Sequence, residues 1–150
     1  MHNLFNAVME EDLERQLRIT EEVLATHTSV ERGLLDLLGR AYQFHLGQLP
    51  LLQAATGLSW SHGLTGPFGN RPVYGPAVDT MKTILQRGVA SGELKASTNI
   101  ELIAEMTWVA YLANYRRAMF DGWDLDALVA RLTEQIEVLL AGARVSAPPA

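Results

Sequence analysis

The sequence predicts an all-α fold, a multi-helix bundle of five long helices and one short one. Three observations carry this. Apolar residues recur three and four positions apart through most of the chain, the spacing of a helix face. Helix-start signals of the Thr-x-x-Glu type stand at Thr28–Glu31 and at Thr98–Glu101. No segment alternates apolar and polar residues as a half-buried strand does, and no internal repeat is visible.

The first helix is predicted from about Asn3 to Ala25. Leu13, Leu17, Thr20 and Leu24 give it one apolar face, with Glu11–Arg15 and Glu14–Arg18 as i,i+4 ion pairs on the other. The second opens on Thr28, carries Leu34, Leu35, Leu38, Ala41, Tyr42 and His45 on one side with Leu37 and Phe44 beside them, and ends near Gly47. Pro50 suits the first turn of a short helix reaching about Trp60. Residues 63–76 are punctuated by Gly63, Gly66, Pro67, Gly69, Asn70, Pro72, Gly75 and Pro76, and read as a surface loop or lid. The next helix starts near Pro72 or Pro76 and runs to Ser91, with Val78, Met81, Ile84, Leu85 and Val89 inward and Gly92 as its stop. The fourth long helix spans 98–120 and is ended by Asp121 and Gly122. Asp124 caps the last, 124–140, whose apolar face is Leu125, Leu128, Val129, Leu132, Ile136 and Leu139. The chain reads as a single domain, 1–150, with a flexible tail at 144–150.

A chain of 150 residues can bury a substantial core, and 48% apolar against 19% charged residues places it with globular rather than disordered proteins. No apolar run approaches the roughly 18 residues that cross a bilayer, so no membrane association is expected. The opening MHNLFNAVMEEDLERQ turns acidic at once, unlike a signal or transit peptide. The absence of Cys excludes disulfides, thiolate catalysis and Cys-ligated zinc, and is compatible with the reducing cytoplasm, the expected location. Net charge is -5, and only Arg116 and Arg117 are adjacent basic residues, which argues against direct nucleic-acid contact by this chain.

The fourth long helix is the informative one. Ile103, Met106, Thr107, Ala110, Ala113 and Asn114 lie on one side of it, Trp108, Leu112, Tyr115 and Met119 on another, and Tyr111 between. A helix apolar nearly all round is buried on more than one side. It is expected to pack on its own core and on a partner, with Ala104, Ala110 and Ala113 permitting close approach.

Signatures of catalysis are missing. The sequence has no Gly-x-Ser-x-Gly, no phosphate-binding glycine loop after a strand and no His-Glu-x-x-His. His2, His27, His45 and His62 have no ligand set at metal-binding spacing. Glu101 and Glu105 read as capping and surface residues. No enzyme activity, metal or cofactor is expected.

The order of elements resembles the C-terminal domain of TetR-family transcriptional regulators. ILQRGVASGEL, Ile84 to Leu94, is similar to the family's helix, Gly-x-x-x-Gly-Glu-Leu and capped long helix. LFNAV, Leu4 to Val8, resembles the start of the helix after the DNA-reading one. Ala41–Phe44 with Leu49–Leu52 resembles the next helix pair, and WDLDALV, Trp123 to Val129, the final helix. Members of that family carry a three-helix, helix-turn-helix domain before this point, and Met1 falls where it would end. The expectation is a sensing half whose DNA-binding half has been removed, or a natural stand-alone sensor.

The resemblance implies a homodimer in which residues 98–120 and 124–140 form a four-helix bundle with their symmetry mates. Ile103, Met106, Ala110, Ala113, Asn114, Arg117, Leu128, Leu132, Ile136 and Leu139 are the candidate interface. It also implies a small-molecule cavity in each subunit, mostly apolar with a few placed polar groups. The candidate ligand-binding residues are Met9, Tyr42, His45, Trp60, His62, Tyr74, Met81, Trp108 and Tyr111. The implied function is repression relieved or imposed by a small apolar or aromatic effector, which alters DNA binding by the N-terminal domain. The alternatives are a stand-alone dimerisation module without ligand and a small helical enzyme.

Overall fold

The computed structural model describes residues 2–51, 53–54 and 75–145, and for residues 2–10, 12, 13 and 75 the backbone alone. The chain is all-helical there: α1 (His2–Thr26), α2 (Val30–Leu46), α3 (Gly75–Ala90), α4 (Ile100–Asp121) and α5 (Leu125–Ala141). Residues 49–51, 53 and 54 are also helical, at the expected site of the short helix; the rest of that helix, 52 and 55–60, lies outside the described residues, as does most of the 63–76 stretch. Among the described residues the only β pairing is an isolated antiparallel bridge between Leu94 and Arg144.

The helices close a ring. α2 packs on α3, α3 on α4, α4 on α5, and α5 back on α2, while α1 lies over α2 and α3. The core sits inside this ring, where Leu34, Leu38, Tyr42, Met81, Leu85, Tyr111, Leu128, Leu132, Ile136 and Leu140 are almost wholly buried. Leu128, Leu132, Ile136 and Leu140 follow one another at four-residue spacing, so α5 presents a single stripe to α2 and α4.

The inner face of α1 is rotated from the predicted one. Val23 is fully buried, and Ile19 and Leu24 pack against the core beside it, whereas Leu17 is 49% exposed. The reason is that α1 meets two helices, so its contact arc is centred on the groove between them. Thr20 Oγ1 lies 2.9 Å from Thr80 Oγ1 of α3, and Arg87 of α3 donates to the Leu24 carbonyl at 2.7 Å. At the α1–α2 corner, Asp36 accepts from Arg40 Nε at 2.9 Å and lies 2.8 Å from His27 Nε2, and Arg40 also reaches Glu22. Burial pushes the Asp36 carboxyl up, but the hydrogen bonds and charges of Arg40 and His27 outweigh it and hold it below its ordinary value.

Neither predicted capping box forms as written. α2 is capped at Ser29, whose side chain makes no cap bond. Its first amide, Val30 N–H, instead donates to both carboxylate oxygens of Glu93, each at 3.2 Å, from the turn after α3. A carboxylate at a helix N-terminus satisfies an orphan donor and opposes the positive dipole end. Glu31, freed from capping, pairs with Arg144 at 2.7 Å. At α4 the cap is Asn99, one residue beyond Thr98; its side chain accepts from Leu102 N–H at 3.1 Å. Asp124 caps α5 as expected, accepting from Ala127 N–H at 2.9 Å. Gly122 ends α4 with φ 69°, a left-handed conformation that favours glycine.

The Gly-x-x-x-Gly-Glu-Leu run thereby acquires a structural account. Gly92 has φ 83° and turns the chain out of α3. Glu93 caps α2, and Leu94 is buried. Lys95 N–H donates to the Ala143 carbonyl at 2.8 Å and Val145 N–H to the Glu93 carbonyl at 3.2 Å. Arg144 and Val145, expected in the flexible tail, are thus tied to this turn; residues 146–150 lie outside the described residues. Gly88 lets α3 approach α2, since a Cβ there would collide with Val30 and sit 3.1 Å from Leu94. Gly88→Ala is therefore expected to destabilise the fold by about 1–3 kcal/mol from overpacking, more than the ~1 kcal/mol that Ala gains over Gly in a helix. Urea unfolding checks the sign; a more stable variant would show that α2 and α3 have slack between them.

Candidate functional site

The cluster that α2 and α4 build in the core contains four of the candidate ligand-binding residues. Tyr42 lies tilted against Tyr111, ring centres 4.7 Å apart, and Trp108 stacks on Tyr111 at 5.1 Å. Tyr115 sets its ring edge-on to both Tyr42 and Tyr111. His45 Nδ1 lies 3.0 Å from the Tyr115 hydroxyl, which in turn lies 2.5 Å from the Tyr111 hydroxyl. Met81 is fully buried on α3. Trp60, His62 and Tyr74 lie outside the described residues, as does the side chain of Met9.

The polar atoms of this cluster are paired as buried groups must be. Tyr42 donates its hydroxyl proton to the Tyr111 carbonyl at 2.9 Å and accepts from Asn114 Nδ2 at 3.2 Å. Asn114 donates its second proton to Gln135 Oε1 of α5 at 2.7 Å. One amide thus joins α2, α4 and α5. Trp108 Nε1 is the exception, buried with no hydrogen-bond partner among the described residues. Burial pushes the Tyr42 hydroxyl well above its ordinary value of 10.0, only partly opposed by the Asn114 hydrogen bond. Burial pushes Tyr115 further still, reinforced by Tyr111 and Tyr42. These hydroxyls are neutral hydrogen-bonding groups, unsuited to acid–base work near neutral pH.

Sequence reasoning missed Tyr115 and Gln135 as parts of this cluster. Tyr115 was legible: it stands four residues after Tyr111 and so shares its face. Gln135 carried no signal, because only the packing of α5 on α4 brings it to Asn114.

The second feature is the outer face of α4. Among the described residues α1 lies over α2 and α3, and no further helix is seen to pack on the outer side of α4 and α5. On α4, Leu102 and Met106 are each 47% exposed, Val109 55% and Phe120 69%, with Ala113 exposed between them. Leu102 and Phe120 are separated by 18 residues, about five full turns, so this is one stripe roughly 27 Å long. Val138 of α5 is exposed as well. Of the candidate interface residues, Met106, Ala113 and Arg117 lie on this surface, and Ile103, Ala110 and Leu139 are half-buried. Asn114, Leu128, Leu132 and Ile136 are buried within the chain's own core.

Between α4 and α5 the surface is hollowed by an open concavity of about 540 Å³, lined by Ala113, Asn114, Arg116, Arg117, Phe120, Asp121, Arg131 and Gln135. Trp123 lies beside it, with the Arg117 and Arg131 guanidinium carbons 5.4 and 5.5 Å from its ring centre. Arg117 also pairs with Asp121 at 2.9 Å. Ile103 and Leu139 border a smaller hollow of about 210 Å³. Among the described residues no three His, Asp or Glu converge as metal ligands, and no helix is long and apolar enough to cross a membrane. No protein-family model matches the chain, and neither a curated protein nor a solved structure matches it.

Proposed function

We propose that this chain is a dimerising, small-molecule-sensing domain of the TetR-like regulatory type. The observation that carries the proposal is the exposed apolar stripe of α4 from Leu102 to Phe120. Isolated exposed apolar residues are ordinary, but a row of large ones along one helix face marks an interaction surface. The resemblance of the sequence points to a homodimer through the last two helices, and the stripe lies on the first of that pair.

The sensing part rests on the Tyr42, His45, Trp108 and Tyr111 cluster. It combines aromatic surface with a few fixed polar atoms, the composition of a pocket for an apolar or aromatic effector. Trp108 Nε1, which has no partner among the described residues, supplies a donor for such a ligand. An effector that binds two arrangements of α1 unequally shifts their populations, and through α1 the DNA affinity of a helix-turn-helix domain joined to it. DNA contact belongs to that domain, in keeping with the net charge of -5 here.

Sedimentation equilibrium at micromolar concentration tests the dimer, and a monomer would overturn it. A thermal-shift screen with small aromatic and alkyl compounds tests sensing, because any ligand that binds the folded state raises its stability. A hit whose shift is lost in Trp108→Phe, with the unliganded melting temperature nearly kept, places the ligand at the cluster. A dimer that responds to none of the compounds favours the module without a ligand.

A further inference from the structure

The charges along the face of α4 that is exposed among the described residues are ordered. Glu101 and Glu105 stand at its N-terminal end, Arg116 and Arg117 at its C-terminal end, and all four are exposed. Glu105 and Arg116 are eleven residues apart, about three turns, so they share one flank of the apolar stripe. Among the described residues neither has an ion-pair partner within the chain. A surface ordered in this way is complementary to a second copy of itself in one direction only. Antiparallel packing about a two-fold axis midway between Ala110 and Tyr111 sets Glu105 against the partner's Arg116, twice. It also brings Leu102 level with the partner's Met119, beside Phe120, and Val109 level with the partner's Leu112, beside Ala113. Parallel packing would set glutamate against glutamate and arginine against arginine.

We propose that two copies of α4 pair antiparallel in this register, with the Glu105–Arg116 pairs selecting direction and register and the apolar stripe forming the seam. This deepens the dimer reading above and rests on it. Charge pairs at the edge of an apolar contact contribute more to specificity than to affinity, because the wrong arrangement opposes like charges.

The test compares dimer dissociation constants by sedimentation equilibrium at low and high salt. Glu105→Arg and Arg116→Glu are each expected to weaken the dimer about tenfold at low salt, because each turns two attractive pairs into two repulsive ones. The double variant Glu105→Arg/Arg116→Glu is expected to recover wild-type affinity. High salt is expected to narrow the differences, as these charges face solvent at the edge of the contact. Both positions are exposed, so folding is unaffected, and circular dichroism verifies it. A wild-type dimer that both single variants leave unchanged overturns the register while the dimer stands. Single variants that weaken the dimer without recovery in the double variant also overturn the pairing. A monomeric wild type overturns the register and the dimer together.

Discussion

Val109→Glu is expected to leave the monomer folded and to raise the dissociation constant of the proposed dimer roughly 100-fold. Val109 is 55% exposed within the chain and stands near the middle of the α4 stripe. Exposed positions of this kind tolerate substitution to within about 0.5 kcal/mol of folding stability. In a seam built on α4, the same substitution buries two carboxylates close to the two-fold axis, each without a partner. Sedimentation equilibrium reads the dissociation constant, and circular dichroism confirms the helices. Arg18→Glu, a larger change in charge placed on exposed α1, is the control expected to have no effect on association. Unchanged association for Val109→Glu would remove this face of α4 from the interface.

The other large effect is alkaline. Tyr42 and Tyr115 are held neutral by burial, far above the ordinary value of 10.0 at which the unfolded chain releases their protons. Above pH 10 the unfolded state binds fewer protons than the folded state, so unfolding releases protons and is favoured as pH rises. Below pH 10 both states are protonated and the cluster is indifferent to pH. Each tyrosine removes about 1.4 kcal/mol of stability per pH unit above 10, and two together about 2.8. For a domain with a stability of about 5–15 kcal/mol, this is enough to unfold it within a few pH units. Tyrosine absorbance and helical circular dichroism, followed through an alkaline titration, should change together. Tyr42→Phe lowers stability at neutral pH by about 1–3 kcal/mol, because Asn114 loses an acceptor, yet it reduces the slope above pH 10 by half. Ionisation of all tyrosines near pH 10 with the helices intact would show the cluster to be open to water.

The fold was largely legible because helix periodicity is a local property. The spacing of Leu128, Leu132 and Ile136, the glycine at 122 and the cap at Asp124 needed no knowledge of neighbours. What was not legible depended on distant partners. Thr28 and Glu31 satisfy the pattern of a capping box, but Glu93 takes the Val30 amide and Arg144 takes Glu31. Leu17 and Val23 offer α1 two adjacent faces, and only the groove between α2 and α3 selects the second. In the candidate site, the aromatic residues of α2 and α4 were legible as an apolar set. Their joining through Asn114 to Gln135 was not, since it requires the register of α5 against α4. On α4 the sequence showed a helix apolar on all sides without revealing which side its own core takes. Tyr111 and Ala118 take the inside, and Val109 and Phe120 are left out.

Glu93 reaches the first amide of α2 from 63 residues away. The closing order of the chain follows from that separation. A cap supplied by a neighbour is present as soon as its helix forms, but this one arrives only after α3 has been laid against α2 and the chain has turned at Gly92. The start of α2 therefore frays until the ring is nearly complete, and long-range closure of this kind is slow relative to helix growth. The Val30 amide becomes a reporter of the whole domain. Its hydrogen exchange should proceed through global unfolding, at a rate Glu93→Gln raises, whereas amides in the exposed first turn of α5, capped locally by Asp124, exchange through local opening.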